Sequence, residues 1–206
     1  MSTTLYIIRH AQTEANKAHI FGSDTKLTPE GVQSTERLRE DLAKIAPTAV
    51  YVSDTIRAKQ TAKILTSGRD VPVLVNQKVR ERSYGNLEGK PVLQIHKDIH
   101  NKTLAQSPDA MWDVHLTTDD ETNREALERF LVGLTEVAEA NDGETVFVVT
   151  HGNVCRCFLI HLGFGTFHSL RSGAFKNNGY IKLRYTDGGF AIESVVGAVS
   201  GSQQDS

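Results

Sequence analysis

Three short apolar runs, each followed by a stretch of helical periodicity, constrain the fold of this chain more than any other feature. The runs are Leu5–Ile8, Ala49–Val52 and Thr145–Val149. Their residues do not alternate between apolar and polar, which is typical of strands covered on both faces. Such strands occur mainly in parallel sheets flanked by helices. The sequence therefore predicts an α/β fold, a three-layer sandwich with a mainly parallel central sheet flanked by helices.

The segments that follow the runs carry helix signals. Thr28 followed by Pro29 is typical of a helix start, and the apolar spacing continues this helix to about residue 46. Ser53–Asp54 is expected to cap a second helix that reaches Leu65. Further helices are predicted over about 122–141 and 154–162, because apolar residues recur there with a period near 3.6.

The remaining elements are less regular. Val71–Val75 predicts a short strand, and the two runs 180–185 and 190–196 around an Asp-Gly-Gly turn predict a closing hairpin. Glycines and prolines interrupt residues 76–120, where only 92–100 has a helical pattern. We expect one domain over 1–199, with a cap-like insertion at about 90–121 and a disordered tail at 200–206.

Charge and cysteine content exclude several classes of partner. The 206 residues include 23 Lys and Arg against 25 Asp and Glu, a net charge of −2, so there is no bulk positive field to attract nucleic acid or an anionic membrane. No run approaches the roughly 20 apolar residues of a membrane span. Cys155 and Cys157, one residue apart, are expected to be ordinary packed thiols of a reducing compartment. We expect a cytoplasmic protein, and we also consider a homodimer.

Basic side chains follow the three apolar runs at the points where strands would end. Arg9 and His10 follow the first, Arg57 lies shortly after the second, and His151 follows the third. Parallel strands gather their carboxyl ends at one edge of a sheet, where ligands bind. Arginine forks suit a tetrahedral oxyanion, so phosphate is the leading ligand.

Neighbouring residues suggest how a bound phosphate would react. We expect donors from Thr13, Asn16 and the backbone near Gly152, although turn and capping roles are the alternative for Thr13 and Asn16. A neutral imidazole can attack phosphorus if a general acid protonates the departing oxygen. The residues alone leave three candidates for that acid: Glu81, Glu88 and Asp24.

Several motifs together resemble one known family. Residues 9–16 read RHAQTEAN, which is similar to the Arg-His-Gly-x-Thr/Ser-x-x-Asn signature of the histidine phosphatase superfamily, in its phosphoglycerate-mutase-like branch. Segments 53–62, 81–89 and 150–152 continue the resemblance in the family's order, so that it covers about residues 5–160. Ala11 departs from the usual glycine, and we expect the methyl group to be tolerated.

The resemblance implies a phosphoglycerate-mutase-like fold and a phosphoryl transfer that needs no metal or cofactor. His10 would be the nucleophile that becomes phosphohistidine, and Arg9, Arg57 and His151 would hold the phosphoryl oxygens. Glu81 would be the general acid. The substrate-binding residues expected from the motifs are Asn16, Thr13, Gly152, Asn153 and Tyr84.

Three functions fit these residues. The leading hypothesis is a phosphatase that hydrolyses a small phosphorylated metabolite and releases inorganic phosphate. A phosphoglycerate mutase would share the first half-reaction, but only 69 residues, positions 82–150, separate Glu81 from His151, which is short beside typical mutases. That interval also lacks the paired arginines that mutases use on the distal charge. The third hypothesis is a non-enzymatic member that binds a phosphorylated ligand.

Residues 92–120 are expected to roof the pocket, with some positive charge. His96 and His100 have the i, i+4 spacing of two zinc ligands on a helix. Because no third ligand completes a zinc pattern nearby, we interpret both as surface histidines.

Overall fold

The computed structural model describes residues 2–93, 106–107 and 109–199. A six-stranded sheet has the order β3-β2-β4-β1-β5-β6. The strands are β1 (Thr3–Arg9), β2 (Ala49–Val52), β3 (Val73–Val75), β4 (Thr145–Thr150), β5 (Phe175–Thr186) and β6 (Gly189–Ala198). The first four are mutually parallel, and β5 and β6 form an antiparallel hairpin beside β1. The predicted α/β class with a mainly parallel sheet is confirmed.

Five α-helices flank this sheet in the described residues: α1 (Glu14–Lys17), α2 (Pro29–Asp41), α3 (Ile56–Leu65), α4 (Asn123–Ala140) and α5 (Gly152–His161). Short 3₁₀ turns occupy Gln77–Val79, Gly85–Leu87 and Ala110–Trp112. None of these helices is long and apolar enough to cross a membrane.

The central strands bury both of their faces, which explains the lack of alternation in their sequences. Leu5 and Ile7 of β1 belong to an apolar cluster that includes Phe130 of α4 and residues of α5. The alternate residues Tyr6 and Ile8 belong to a second cluster, formed with α2 and α3. Side chains of one strand thus enter two different cores, and the sheet is the middle layer of three.

Several predicted boundaries differ from the structure. The helix that begins after Thr28 ends at Asp41 rather than near residue 46, with Leu42 as its C-cap. The predicted cap of α3 at Ser53–Asp54 is wrong, because the Thr55 hydroxyl accepts the capping hydrogen bond from the Ala58 N–H. The predicted third strand is shorter, Val73–Val75, and it lies at an exposed edge.

The first strand of the closing hairpin is longer than predicted. It begins at Phe175 rather than Tyr180, and its register with β6 shifts between Phe175 and Tyr180. The intervening Lys-Asn-Asn-Gly stretch has no strand signal, and Asn178 has a positive φ of 58°. The predicted helix over 92–100 and the predicted roof lie, from residue 94 to 105, outside the described residues. The tail 200–206 also lies outside them.

Arg82 fixes the irregular segment that precedes α4. Its guanidinium donates to the Asp120 carboxylate at 2.7 Å and to the Asn123 Oδ1 at 2.9 Å. Both side chains of the Arg82–Asp120 pair are buried. Because Arg82 follows Glu81 directly, this ion pair also holds the backbone of one candidate catalytic residue.

Replacing Arg82 with Ala should therefore lower the free energy of unfolding strongly. The substitution leaves a buried carboxylate without its cation, which costs about 3–5 kcal/mol. The matched control is Arg124→Ala, because Arg124 and Asp113 form an exposed pair, worth less than about 1 kcal/mol. Denaturant unfolding of the two variants measures the difference, and equal losses would contradict the assignment of Arg82 as an anchor.

Candidate active site

A cavity of about 410 Å³ lies at the carboxyl ends of the parallel strands. Four of the five predicted catalytic residues line it: Arg9, His10, Arg57 and Glu81. Asn16, Tyr84, Gly152 and Asn153 of the predicted substrate-binding set line it as well. His151 and Thr13 are fully buried and are not part of its wall.

His10 is held in one defined tautomer. Its backbone N–H donates to the Thr150 carbonyl at 2.8 Å, and its Nδ1 lies 2.7 Å from the Ala11 carbonyl. A carbonyl oxygen can only accept, so Nδ1 carries the hydrogen and Nε2 of the neutral ring keeps a lone pair. Burial, together with the positive charges of Arg57 and Arg9, holds the pKa of His10 well below its usual value. The ring is therefore neutral at physiological pH.

The guanidinium of Arg9 lines the cavity and keeps hydrogen-bond donors that no group of the described residues accepts. One terminal nitrogen, Nη1, donates to the Phe175 carbonyl, while the buried Nε has no protein partner in the described part of the chain. Burial lowers the pKa of Arg9, an effect that the carboxylate of Glu81 opposes. A Cβ on Gly152 would lie only 2.9 Å from the Arg9 Nε, so glycine is required there for the guanidinium to keep this position.

Arg57 is oriented by three neighbours. Its Nη1 pairs with the Asp24 carboxylate at 3.1 Å and donates to the Ser23 carbonyl, and its Nε donates to the His151 Nδ1 at 3.2 Å. Because arginine only donates, His151 accepts at Nδ1 and carries its hydrogen on Nε2, which donates to the Ser53 Oγ at 2.8 Å.

His151 is thus neutral, and both of its ring nitrogens form hydrogen bonds with protein groups. Burial, with Arg57 and His10 nearby, holds the pKa of His151 well below its usual value. Its ring packs edge-on against that of His10, with 5.2 Å between ring centroids. The observed contacts make it a support for Arg57, and its predicted contact with a phosphoryl oxygen stays a prediction.

Glu81 binds the N-terminus of α5. Its Oε2 accepts from the Asn153 N–H at 3.0 Å, and its Oε1 accepts from the N–H groups of Val154 and Arg82. Of the three carboxylates that the sequence left open, Glu81 alone lines the cavity. Asp24 pairs with Arg57, and Glu88 accepts from the Tyr84 N–H at the molecular surface.

Two predicted substrate residues close the turn after β1. Thr13 caps α1 by accepting from the Asn16 N–H, and Asn16 Oδ1 accepts in return from the Thr13 N–H. The Thr13 hydroxyl therefore serves the helix cap, Thr13 does not line the cavity, and its substrate contact stays a prediction. Asn16 also accepts from Asn177, whose side chain donates to the His10 carbonyl at 2.9 Å.

Ala11 occupies the family's glycine position without backbone strain. Its N–H donates to the Thr61 Oγ1 at 3.1 Å, its methyl group is buried, and its φ is not positive. The family's glycine is thus not required here for its conformational freedom.

Sequence reasoning missed part of the cavity wall. Arg156, Lys176 and Asn177 line it together with Phe21. Arg156 lies four residues after Gly152 on α5, so the helical period alone could have placed both on one face. Lys176 and Asn177 lie in the irregular start of β5, which carries no sequence signal.

The Tyr84 phenol and the two cysteine thiols stay protonated at physiological pH, because burial raises their pKa values. Burial, and the nearby Glu81, raise the pKa of the Tyr84 phenol, whose ring packs against Phe21. Cys155 and Cys157 are buried free thiols, and burial raises the pKa of Cys157 to about 12. The described residues contain no group of three His, Cys, Asp or Glu side chains that could hold a metal ion. His96 and His100 lie outside the described residues.

A family model described as the histidine phosphatase superfamily (branch 1) matches residues 5–197. The chain belongs to that superfamily.

Relatives within the histidine phosphatase superfamily carry two kinds of name. A metal-independent phosphoserine phosphatase of Arabidopsis thaliana is 29% identical over 166 residues, which are 78% of this chain and 68% of the relative. A 2,3-bisphosphoglycerate-dependent phosphoglycerate mutase of Cytophaga hutchinsonii is 28% identical over 77% of this chain and 76% of its own length. The structure of Bacillus stearothermophilus YhfR, 28% identical, superposes with a TM-score of 0.83 over 96% of this chain and 98% of that one.

The two buried histidines predict a loss of stability in mild acid. Their pKa values are lowered in the folded protein, so the unfolded chain takes up protons first as the pH falls below about 6.5. Their joint contribution to the free energy of unfolding should fall by about 2.5 kcal/mol between pH 7 and pH 5.5. His151→Gln should remove about half of this dependence. Denaturant unfolding at several pH values measures it, and an unchanged slope in His151→Gln would contradict the prediction.

Proposed function

We propose that this histidine phosphatase superfamily member is a phosphatase that hydrolyses a small phosphomonoester, without a metal ion, through a phosphohistidine on His10. One observation carries the proposal. The Ala11 carbonyl binds the hydrogen on Nδ1 of His10, which leaves the Nε2 lone pair of a neutral ring beside a cavity that Arg9 and Arg57 line.

In the first step the Nε2 of His10 attacks phosphorus. The bond from Nε2 to phosphorus forms as the bond from phosphorus to the ester oxygen breaks, and Glu81 gives its proton to the departing alcohol. Arg9 and Arg57 bind the equatorial oxygens of the phosphoryl group. Their two guanidiniums stabilise the negative charge on these oxygens, which other phosphoryl-transfer enzymes stabilise with magnesium.

In the second step water replaces the histidine. Glu81, now a carboxylate, accepts a proton from the water as its oxygen attacks phosphorus, and the bond to Nε2 breaks. The products are inorganic phosphate and the free alcohol, with His10 neutral and Glu81 protonated for the next cycle. Oε2 of Glu81 accepts one backbone N–H, so it retains a lone pair for this proton.

The ion pairs made by the arginines between Glu81 and His151 favour hydrolysis over isomerisation. Arg82, Arg124 and Arg129 are the three in that interval, and each pairs with a carboxylate of the same segment. None of them lines the cavity. The paired arginines that mutases use on the distal charge of the substrate therefore have no counterpart in this interval.

His10→Ala should abolish the covalent phosphoenzyme. Rapid quenching with a ³²P-labelled phosphomonoester should give acid-labile phosphoprotein in the wild type and none in the variant, whose kcat should fall at least about a thousandfold. Phosphate release by the wild type should persist with excess chelator. His168→Ala, at an exposed site, is the control and should retain both.

Four results would contradict this proposal. Full activity of His10→Ala would remove the nucleophile, and dependence on added metal would remove the metal-free mechanism. Conversion of 3-phosphoglycerate to its 2-isomer without phosphate release would make the protein a mutase. A wild type that binds phosphomonoesters but forms no phosphohistidine would be a binding protein.

Glu81→Gln should separate the two steps. With an aryl phosphate the leaving group needs little protonation, so the phosphoenzyme still forms, but its hydrolysis loses the base and slows by about 10²–10⁴. A burst of the phenol followed by slow turnover is the expected trace in stopped flow. Glu88→Gln should behave as the wild type, and an equal loss in both variants would contradict the assignment of the acid.

A further inference from the structure

Arg156 differs from the buried arginines Arg57 and Arg82 in its electrostatic surroundings. Arg57 pairs with Asp24, and Arg82 pairs with Asp120. Arg156 is also buried, yet it has no carboxylate within 4.0 Å in the described part of the chain. Burial lowers the pKa of Arg156, which reflects the loss of water around its charge.

Protein contacts hold the Arg156 guanidinium in place, and one of its nitrogens has no hydrogen-bond acceptor among the described residues. Nε donates to the Leu170 carbonyl at 2.5 Å, and Nη1 donates to the Asn153 Oδ1 at 3.2 Å. The guanidinium carbon lies 4.9 Å from the centre of the Phe167 ring, which packs in turn on Trp112. Nη2 donates to no group among the described residues, although the side chain lines the cavity.

The position of Arg156 is close to the phosphoryl site but separate from it. Gly152, which packs against Arg9, lies four residues earlier on α5, so the two positions share a helix face about 6 Å apart. A small phosphomonoester with its phosphoryl group between Arg9 and Arg57 could therefore extend to Arg156. Lys176 lines the same cavity and adds positive charge.

We propose that Arg156 binds a second anionic group of the substrate, a carboxylate or a second phosphate. The substrate class is then phosphomonoesters that carry another negative charge a few atoms from the ester oxygen. This inference rests on the proposed function, since it takes the phosphoryl group to lie at His10. It concerns recognition only, because a second anionic contact is compatible with hydrolysis and with isomerisation.

The test compares two ligands that differ at one carbon. 3-Phosphoglycerate carries a carboxylate where glycerol 3-phosphate carries a hydroxymethyl group. Binding is measured by calorimetry in the His10→Ala background, so that no turnover interferes. A charge-assisted hydrogen bond should make 3-phosphoglycerate bind roughly 10- to 100-fold tighter. Glycerol 1,3-bisphosphate, as a third ligand, shows whether a second phosphate is preferred to the carboxylate.

When Arg156→Met is added to this background, the affinities for the two ligands should differ by no more than about threefold. The variant should bind 3-phosphoglycerate more weakly and glycerol 3-phosphate with nearly unchanged affinity. Retained binding of glycerol 3-phosphate also shows that the variant is folded. Arg171→Met is the control, because Arg171 is an exposed cation on the loop before β5 and does not line the cavity. It should preserve the full selectivity. Arg156→Lys should restore part of it.

Three outcomes would overturn the proposal. Equal affinity for the two ligands with Arg156 intact would mean that no second anion is recognised. An equal loss for both ligands in Arg156→Met would make Arg156 a structural residue. Failure of the proposed function looks different: selectivity for the anionic ligand would persist while the wild type forms no phosphohistidine. Binding of neither ligand would overturn both proposals.

Discussion

The parallel register that pairs Arg9 with Thr150 determines the rest of the site. It places residue 10 beside residue 151, although 140 positions lie between them in the chain, and the His10 N–H continues the ladder to the Thr150 carbonyl. A shift of one residue would turn the buried faces of β1 toward the wrong cores. The two apolar clusters therefore fix the register, and the register fixes the geometry of the two imidazoles.

The charges around the cavity are arranged so that the cations stay cations and the imidazoles stay neutral. Arg57 pairs with one carboxylate, that of Asp24. Arg9 receives a backbone carbonyl in place of a carboxylate. The site therefore has positive charge that is not fully compensated by carboxylates, although the net charge of the protein is −2. Its attraction for an anion comes from these few local cations and not from the overall composition.

The sequence was sufficient for the sheet and for most of the site because both depend on patterns local in the chain. Continuous apolar runs predict covered strands, and basic residues at their ends predict the ligand edge. For Thr13 and His151 the sequence leaves the partners open. A hydroxyl can cap a helix and an imidazole can support another side chain, and either can instead bind phosphate, so only the three-dimensional structure shows which neighbour each side chain contacts. Arg156 was missed because its significance is that no carboxylate among the described residues pairs with it, and pairing between distant residues cannot be seen in one sequence. The start of β5 was missed because a polar, irregular strand has no periodicity.

The attachment of Glu81 to the first turn of α5 has a mechanical consequence. Two N–H groups of that helix terminus point at the carboxylate, and they are most strongly satisfied when it is charged. In the proposed cycle this charge disappears and returns with every turnover. The first turn of α5 carries Asn153 and leads to Arg156, which both line the cavity. The proton that serves the proposed chemistry therefore also changes the hydrogen bonds that hold this helix end. A change of charge on Glu81 would then act on one wall of the cavity through a single helix end.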